Sequence, residues 1–369
     1  MKITRSKKSF NLKKAGYQIA RILLFFSAGL GILYLVYHNL DASYQEDCAL
    51  KGIPSAECSL LHKVWTDFLA VDMKWLLLVL ILFMVSNVWR TLRWQMLLRP
   101  MGYYPGFWAS FFSIMLGYFA NLGLPRMGEV FRGVALAKHE DIPFEKVMGT
   151  IVTDRIMDFL MLGIFLALGF WVKFDTFWGF LTSALGEKHF SIFHLGGTLI
   201  ALIALIGLIS LTRKTWRTWS FVRIIRGKLI GFWQGIQSVK SVSSPLLFIL
   251  YTIGIWMMYY LMLYFCFKCY TPTASLDLKA ALVTFDYGTL GMVAPFPGGM
   301  GSYHFMIIKA LEQYGINKVD GFSFANINFF SIQIFCNILF GLMALILLPI
   351  MKRRQPMTEG LTDQESSVD

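Results

Sequence analysis

Gly117-Tyr-Phe-Ala-Asn121-Leu-Gly-Leu-Pro125-Arg126-Met-Gly128-Glu129-Val-Phe-Arg132 is the stretch on which the reading of this chain turns. It begins inside an apolar run, 107–124, that is long enough to cross a bilayer. The run ends in Gly and Pro, which break helices, and an arm carrying Arg and Glu follows. Either the run crosses the membrane fully or it turns back at the breakers. Charges elsewhere in the chain decide between the two.

Composition puts the chain in a membrane. Of 369 residues, 56% are hydrophobic and 15% charged, where a soluble domain carries about 25% charged residues. Mean hydropathy is +0.57. These values exclude disorder, a basic nucleic-acid-binding domain and most soluble enzymes, and they predict an all-α polytopic membrane protein. The net charge of +12 is read as cytoplasmic loops facing anionic lipid. Five cysteines do not make a disulfide framework.

Full spans are expected at Ile22–Tyr37, Trp75–Leu98, Ile151–Val172, Ile192–Leu211, Pro245–Phe267 and Phe324–Met351. The first follows a basic N-terminus and reads as an uncleaved signal anchor. Lys and Arg in short loops set the orientation. Segment 38–74 holds three basic residues against six acidic ones and is assigned outside. Segment 212–244 holds Arg213, Lys214, Arg217, Arg223, Arg226, Lys228 and Lys240 with no acid, and is assigned inside. Arg90, Arg93 and Arg99 put the end of the second span inside, and Lys352, Arg353 and Arg354 do the same for the last. Counting back from 212–244, segment 125–150 is also inside, so 107–124 enters and leaves on one face. By the same count, Leu278–Leu311 dips in from the outer face and returns. Full crossings would put the seven-positive loop outside.

The second dip reads Gly288-Thr-Leu-Gly-Met-Val-Ala-Pro295-Phe-Pro297-Gly298-Gly299-Met-Gly301-Ser302. Like the first, it has an apolar arm, a breaker cluster, a Met-Gly pair and a second arm, and it enters from the opposite face. The expected architecture is about six full spans plus two re-entrant helical hairpins in an inverted-topology repeat, an arrangement found in transporters.

At these residues the chain resembles the flippase-like membrane family named after the transmembrane region of lysylphosphatidylglycerol synthase. Three motifs carry the resemblance, over about Trp75 to Pro349. They are Asn121 to Arg132, Asp154-Arg155-Ile-Met-Asp158, and Pro297-Gly-Gly-Met-Gly301. The chain departs from the family pattern at three points. No Gly stands between Pro125 and Arg126, Asp154 replaces the customary Glu, and His304 stands where an acid often follows the third motif. The resemblance implies movement of a lipid, phospholipid or polyprenyl-phosphate-linked, between leaflets. The aminoacyl-transferase domain of the full synthase is not in this sequence, so lipid aminoacylation is not expected. The expected organisation is a basic cytoplasmic N-terminus (1–18), an integral membrane flippase-like domain (19–351) and a polar cytoplasmic tail (352–369). The expected location is the plasma (inner) membrane, with both termini cytoplasmic.

The residues themselves point to a buried polar site. Arg126, Glu129 and Arg132 recur every three residues and share one side of a helix. Asp154 and Asp158 share a face of the next span, beside Arg155. A charge at membrane depth costs at least about 2.5–3.5 kcal/mol on insertion scales, so such groups are paired or wetted. Arg126, Glu129, Arg132, Asp154, Arg155, Asp158 and Asn121 are therefore the expected substrate-binding residues, suited to an anionic headgroup because guanidinium grips phosphate with two parallel hydrogen bonds. A structural reading competes: the arginines snorkel at the interface and the acids are local partners. Arg90 and Arg93, flanked by Trp89 and Trp94, read as interface anchors. Pro125, Gly128, Pro297, Gly298, Gly299 and Gly301 are expected to build the turns, with Ser302 capping the return arm.

Other signals are weaker. Cys48 and Cys58, ten apart, are either a disulfide or two free thiols. Residues 216–236 place aromatic and aliphatic side chains on one side among basic ones, as in an interfacial helix. Histidines and cysteines lack metal-ligand spacing, and there is no P-loop, DxD pair or nucleophile elbow. No metal, cofactor or nucleic-acid partner is expected, and oligomeric state is not legible. Three functions compete: a lipid flippase, a membrane enzyme modifying a lipid headgroup with Glu129, Asp154 or Asp158 as base, and a regulatory subunit.

Overall fold

The computed structural model describes residues 12–50, 58–124, 127–173, 233–234, 237–294 and 296–351. Every regular element among them is helical. In chain order they are α1 (Leu12–Leu50), α2 (Leu60–Leu69), α3 (Met73–Leu98), α4 (Phe107–Gly123), α5 (Gly128–Glu140), α6 (Phe144–Val172), α7 (Pro245–Cys269), α8 (Leu278–Val293), α9 (Ser302–Glu312) and α10 (Lys318–Phe329). A π-helical stretch, Phe330–Cys336, then carries the chain into α11 (Asn337–Ile350).

Among the described residues, four helical stretches are long and apolar enough to span a bilayer: Met73–Met101, Phe144–Val172, Pro245–Cys269 and Lys318–Ile350. The protein is thus an all-helical, polytopic membrane protein. The two arms singled out from sequence are shorter. With 17 residues in α4 and 16 in α8, each is about 25 Å long, less than a hydrocarbon core of about 30 Å. The expected span at 192–211, residues 1–11 of the N-terminal tail and the C-terminal tail 352–369 lie outside the described residues, as does all of 216–236 but 233–234.

The chain divides into two compact units. One comprises residues 1–85, 112–132 and 258–350, the other 86–111, 133–257 and 351–369. The division falls inside α3, α4, α5 and α7.

In the first unit the core is built from Phe83, Phe267, Tyr303, Ile307 and Phe324 with their neighbours. Helix α1 runs well past the apolar run read from sequence, to Leu50. A disulfide between Cys48 and Cys58 ties its end to the start of α2, and Asp41 accepts a hydrogen bond from the Leu60 amide at 3.1 Å. A polar latch joins α2, the end of α7 and the start of α10. Lys63 Nζ lies 2.8 Å from Asp67 and 2.9 Å from Asp320, and the Tyr270 hydroxyl reaches the same two carboxylates at 2.9 and 3.0 Å. Burial works against the Lys63 charge, but the bonds to Asp67 and Asp320 outweigh it and raise its pKa. Burial, then the charges of Asp320 and Asp67, push the Tyr270 phenol up.

Both hairpins close by tight helix crossing. In the first, a Cβ on Gly117 would sit 2.8 Å from the Gly128 carbonyl oxygen, and one on Gly128 would collide with Gly117 and Asn121. Asn121 Oδ1 accepts from the Gly128 amide at 2.8 Å, satisfying a free donor at the start of α5. In the second, a Cβ on Gly291 would lie 2.8 Å from Tyr303 Cα. Gly301, not Ser302, occupies the cap position of α9. Ser302 instead donates its hydroxyl to the Gly291 and Gly299 carbonyls, at 2.7 and 3.1 Å.

The second turn is left-handed at three residues: Gly298 (φ 58°), Gly299 (φ 75°) and Gly301 (φ 81°). L side chains rarely adopt this region. At Gly299 a Cβ would also strike Met292. The π-helical stretch begins where the last span passes this turn: the Phe329 ring lies 3.7 Å from a Cβ built on Gly298, and Gln333 reaches Met292 Sδ at 4.0 Å. The same Gly298 position lies 4.0 Å from Leu122 of α4, so the tips of the two hairpins meet. Farther along, Gly341 of α11 packs on Phe119 of α4, with no room for a Cβ between them.

Candidate functional site

The expected polar residues fall in both units. In the second unit, α6 presents Asp154 and Asp158 one turn apart, and α3 presents Arg90 and Arg93, also one turn apart. Arg93 Nη2 lies 2.6 Å from Asp154 and 2.7 Å from Asp158. Arg90 Nη1 lies 2.9 Å from Asp158 and 3.4 Å from Asp154. Each guanidinium thus bridges both carboxylates. Arg93 also donates to Thr252 of α7 at 3.3 Å. All four charged residues are buried, Asp154 and Arg93 completely. Two positive and two negative charges cancel, which is how four charges are carried inside a span. Arg155 touches Asp158 at 3.5 Å, but its side chain is 43% exposed, so it is the cation at the edge of this cluster.

Arg90 and Arg93 are therefore not the interface anchors that their tryptophan neighbours suggested. Trp94 is fully buried and donates its indole N–H to Thr150 at 3.0 Å. Trp89 packs where Gly254 of α7 leaves no room for a Cβ. These aromatic residues join α3 to α6 and α7, and the arginines beside them face the same way, into the protein. A signal was available: an i, i+3 pair of Arg in one span and an i, i+4 pair of Asp in another sum to zero charge.

In the first unit, the tip of the first hairpin gathers Asn121, Gly128, Glu129 and Arg132. Arg132 is buried, and its Nη1 is 3.8 Å from Glu129 Oε2. The Glu129 side chain is partly exposed in the first turn of α5, where the helix dipole favours a negative charge. Pro125 and Arg126 lie outside the described residues. In the second hairpin His304 is buried among rings, 4.9 Å from Phe329 and 6.2 Å from Phe322 between centroids. No cluster of metal-ligating side chains occurs among the described residues.

Helices of spanning length, charges compensated inside them and glycine-crossed hairpins define a multi-pass integral membrane protein. Residues 59–341 match the model of the lysylphosphatidylglycerol synthase TM region, and the chain belongs to that family. A UPF0104 membrane protein of Methanocaldococcus jannaschii is 30% identical over 121 residues. That match covers 30% of this chain and 36% of the relative, so the chain spans little more than a third of its length. No solved structure matches the chain.

Proposed function

We propose that the protein moves a lipid with an anionic headgroup, a phospholipid or a polyprenyl-phosphate-linked lipid, between the leaflets of the plasma (inner) membrane. The observation that carries this reading is the meeting of two glycine-turned hairpin tips, at Leu122 and Gly298, within one compact unit. Arms of about 25 Å that turn back rather than cross suit re-entrant hairpins of an inverted repeat, and family membership adds a lipid connection. Both termini are cytoplasmic on this reading, and the segment containing the Cys48–Cys58 disulfide faces the oxidising side, where such bonds persist.

Asn121, Glu129 and Arg132 at the first tip, with Arg126 of the same sequence motif, would receive the headgroup, with guanidinium gripping phosphate. Asp154 and Asp158 are held by Arg90 and Arg93 and serve as a fixed, charge-balanced anchor with Arg155 at its margin. Their engagement weighs against use of either as the general base of a lipid-modifying enzyme.

The test is lipidomics combined with leaflet-resolved labelling in a deletion strain. Altered lipid sidedness with unchanged lipid chemistry is expected. A missing lipid species with normal sidedness would overturn transport in favour of an enzyme. Arg126→Lys is expected to impair sidedness nearly as much as Arg126→Ala, because Lys loses the two-pronged grip.

A further inference from the structure

The second hairpin carries an acid that the lipid site does not use. Asp286 lies in α8, seven residues before its end, and is fully buried. Neither of its carboxylate oxygens has a hydrogen-bond partner among the described residues. Helical geometry turns it away from α9. Gly288 and Gly291 pack on Tyr303, and Asp286 is rotated about 200° from Gly288 at 100° per residue.

Several titratable groups on α7, α8 and α9 have partners of their own. On α9, Lys309 pairs with Glu312 at 2.9 Å, Tyr303 bonds Asn328, and His304 is packed among aromatic rings. On α7, Tyr260 donates to the Leu278 carbonyl at 2.8 Å and Lys268 to the Leu276 carbonyl at 3.0 Å. On α8 itself, Asp277 caps the helix and Lys279 is exposed.

A carboxylate enclosed without a cation or donor sheds its charge by taking a proton. The quartet of Arg90, Arg93, Asp154 and Asp158 keeps its charges by pairing them. Among the described residues Asp286 has no such pairing. It sits in an arm that ends in a left-handed glycine turn and lies beside a π-helical stretch of the last span, and such π segments recur at functional sites.

We propose that Asp286 is a proton-binding site that couples movement of the second hairpin, and with it lipid transport, to the proton gradient. This rests on the lipid-transport reading for its coupling half alone. Exposed to water on one side, the carboxylate gains one proton and an O–H bond forms. Enclosed, it stays neutral. Exposed on the other side, the O–H bond breaks and the proton returns to water. No electrons move.

Two measurements test this. The purified full chain is reconstituted in vesicles of phosphatidylethanolamine and phosphatidylglycerol with a fluorescent phosphatidylglycerol analogue, and lipid movement is compared with and without an imposed pH gradient. In the wild-type protein the ratio of the two rates is expected to be several-fold, and in Asp286→Asn it is expected to fall to about one. An equal ratio in both proteins, or dependence on a sodium gradient instead of a pH gradient, would overturn the coupling while leaving lipid transport standing. If neither protein moves lipid, the transport reading fails, and infrared spectroscopy in nanodiscs still reads the proton. A neutral-carboxyl band that titrates with pH in the wild type and is missing in Asp286→Asn supports the site. Identical spectra from the two proteins overturn it.

Discussion

The two hairpins share a construction and differ in chemistry. Each crosses at a glycine that admits the other arm's backbone, Gly117 against Gly128 in the first and Gly291 against Tyr303 in the second. Each is pinned by one small polar side chain bonded across the turn, Asn121 to the Gly128 amide and Ser302 to the Gly291 carbonyl. The first tip then presents Glu129 and Arg132 side by side. The second encloses Asp286 and His304 and keeps its only left-handed residues in the turn. Similar backbone devices thus carry different loads. One presents paired charges at its tip, and the other encloses an acid with no hydrogen-bond partner among the described residues.

The largest effect is expected outside the hairpins, in the anchor against which they are compared. Asp154→Asn leaves two buried guanidinium groups facing one carboxylate, and is expected to cost about 3–5 kcal/mol, read as a lower unfolding temperature in detergent. Asp286→Asn, which on the proposal exchanges a protonated acid for an isosteric neutral amide, is expected to change stability far less. Equal losses would erase the distinction between a paired and a protonated acid.

The next effect tests the shared construction. Gly128→Val and Gly291→Val both force a side chain into a helix crossing and are expected to cost about 1–3 kcal/mol each. A loss in one hairpin only would show that the likeness is superficial.

Third come the turn and its neighbour. Gly298→Val and Gly299→Val place L side chains at positive φ, and are expected to abolish lipid movement in proteins that remain monodisperse. His304→Ala, at the position where the family often has an acid, is expected to retain measurable movement. Transport at wild-type rate by well-folded Gly298→Val and Gly299→Val would remove the turn from the transport path.

The smallest effect concerns the latch that joins α2, α7 and α10. Because the bonds to Asp67 and Asp320 hold the Lys63 pKa above the ordinary lysine value of 10.5, its contribution is complete below that value and is lost only as pH rises through the folded one. Lys63→Met is expected to cost about 1 kcal/mol or less at pH 7, and the difference from wild type should vanish in strong alkali.

Much of this was legible in sequence because it depends on neighbours along the chain. The short apolar arms, the breaker clusters and the i, i+4 placement of Asp154 and Asp158 are local patterns. What was not legible depends on partners far along the chain. Arg90 and Arg93 meet acids more than sixty residues away, and tryptophans at a span end look the same whether they face lipid or a neighbouring helix. The spacing of Cys48 and Cys58 allowed a disulfide or free thiols, and the helices that bring them together decide it. In sequence Asp286 stands near the second turn, with His304, and reads equally as a satisfied structural polar group or a proton carrier. The packing around α8 shows that it is enclosed with no hydrogen-bond partner among the described residues.

The account stands on the two hairpins entering from opposite faces and returning to them. Single-cysteine labelling from outside intact cells tests this most directly, in a background with all five native cysteines replaced by serine and checked for folding. The account predicts labelling at Gln45→Cys and Thr271→Cys and none at Lys138→Cys or Ser238→Cys until the membrane is permeabilised. Labelling of Ser238→Cys from outside would require both arms to cross fully, and would contradict the inverted repeat on which the transport reading rests.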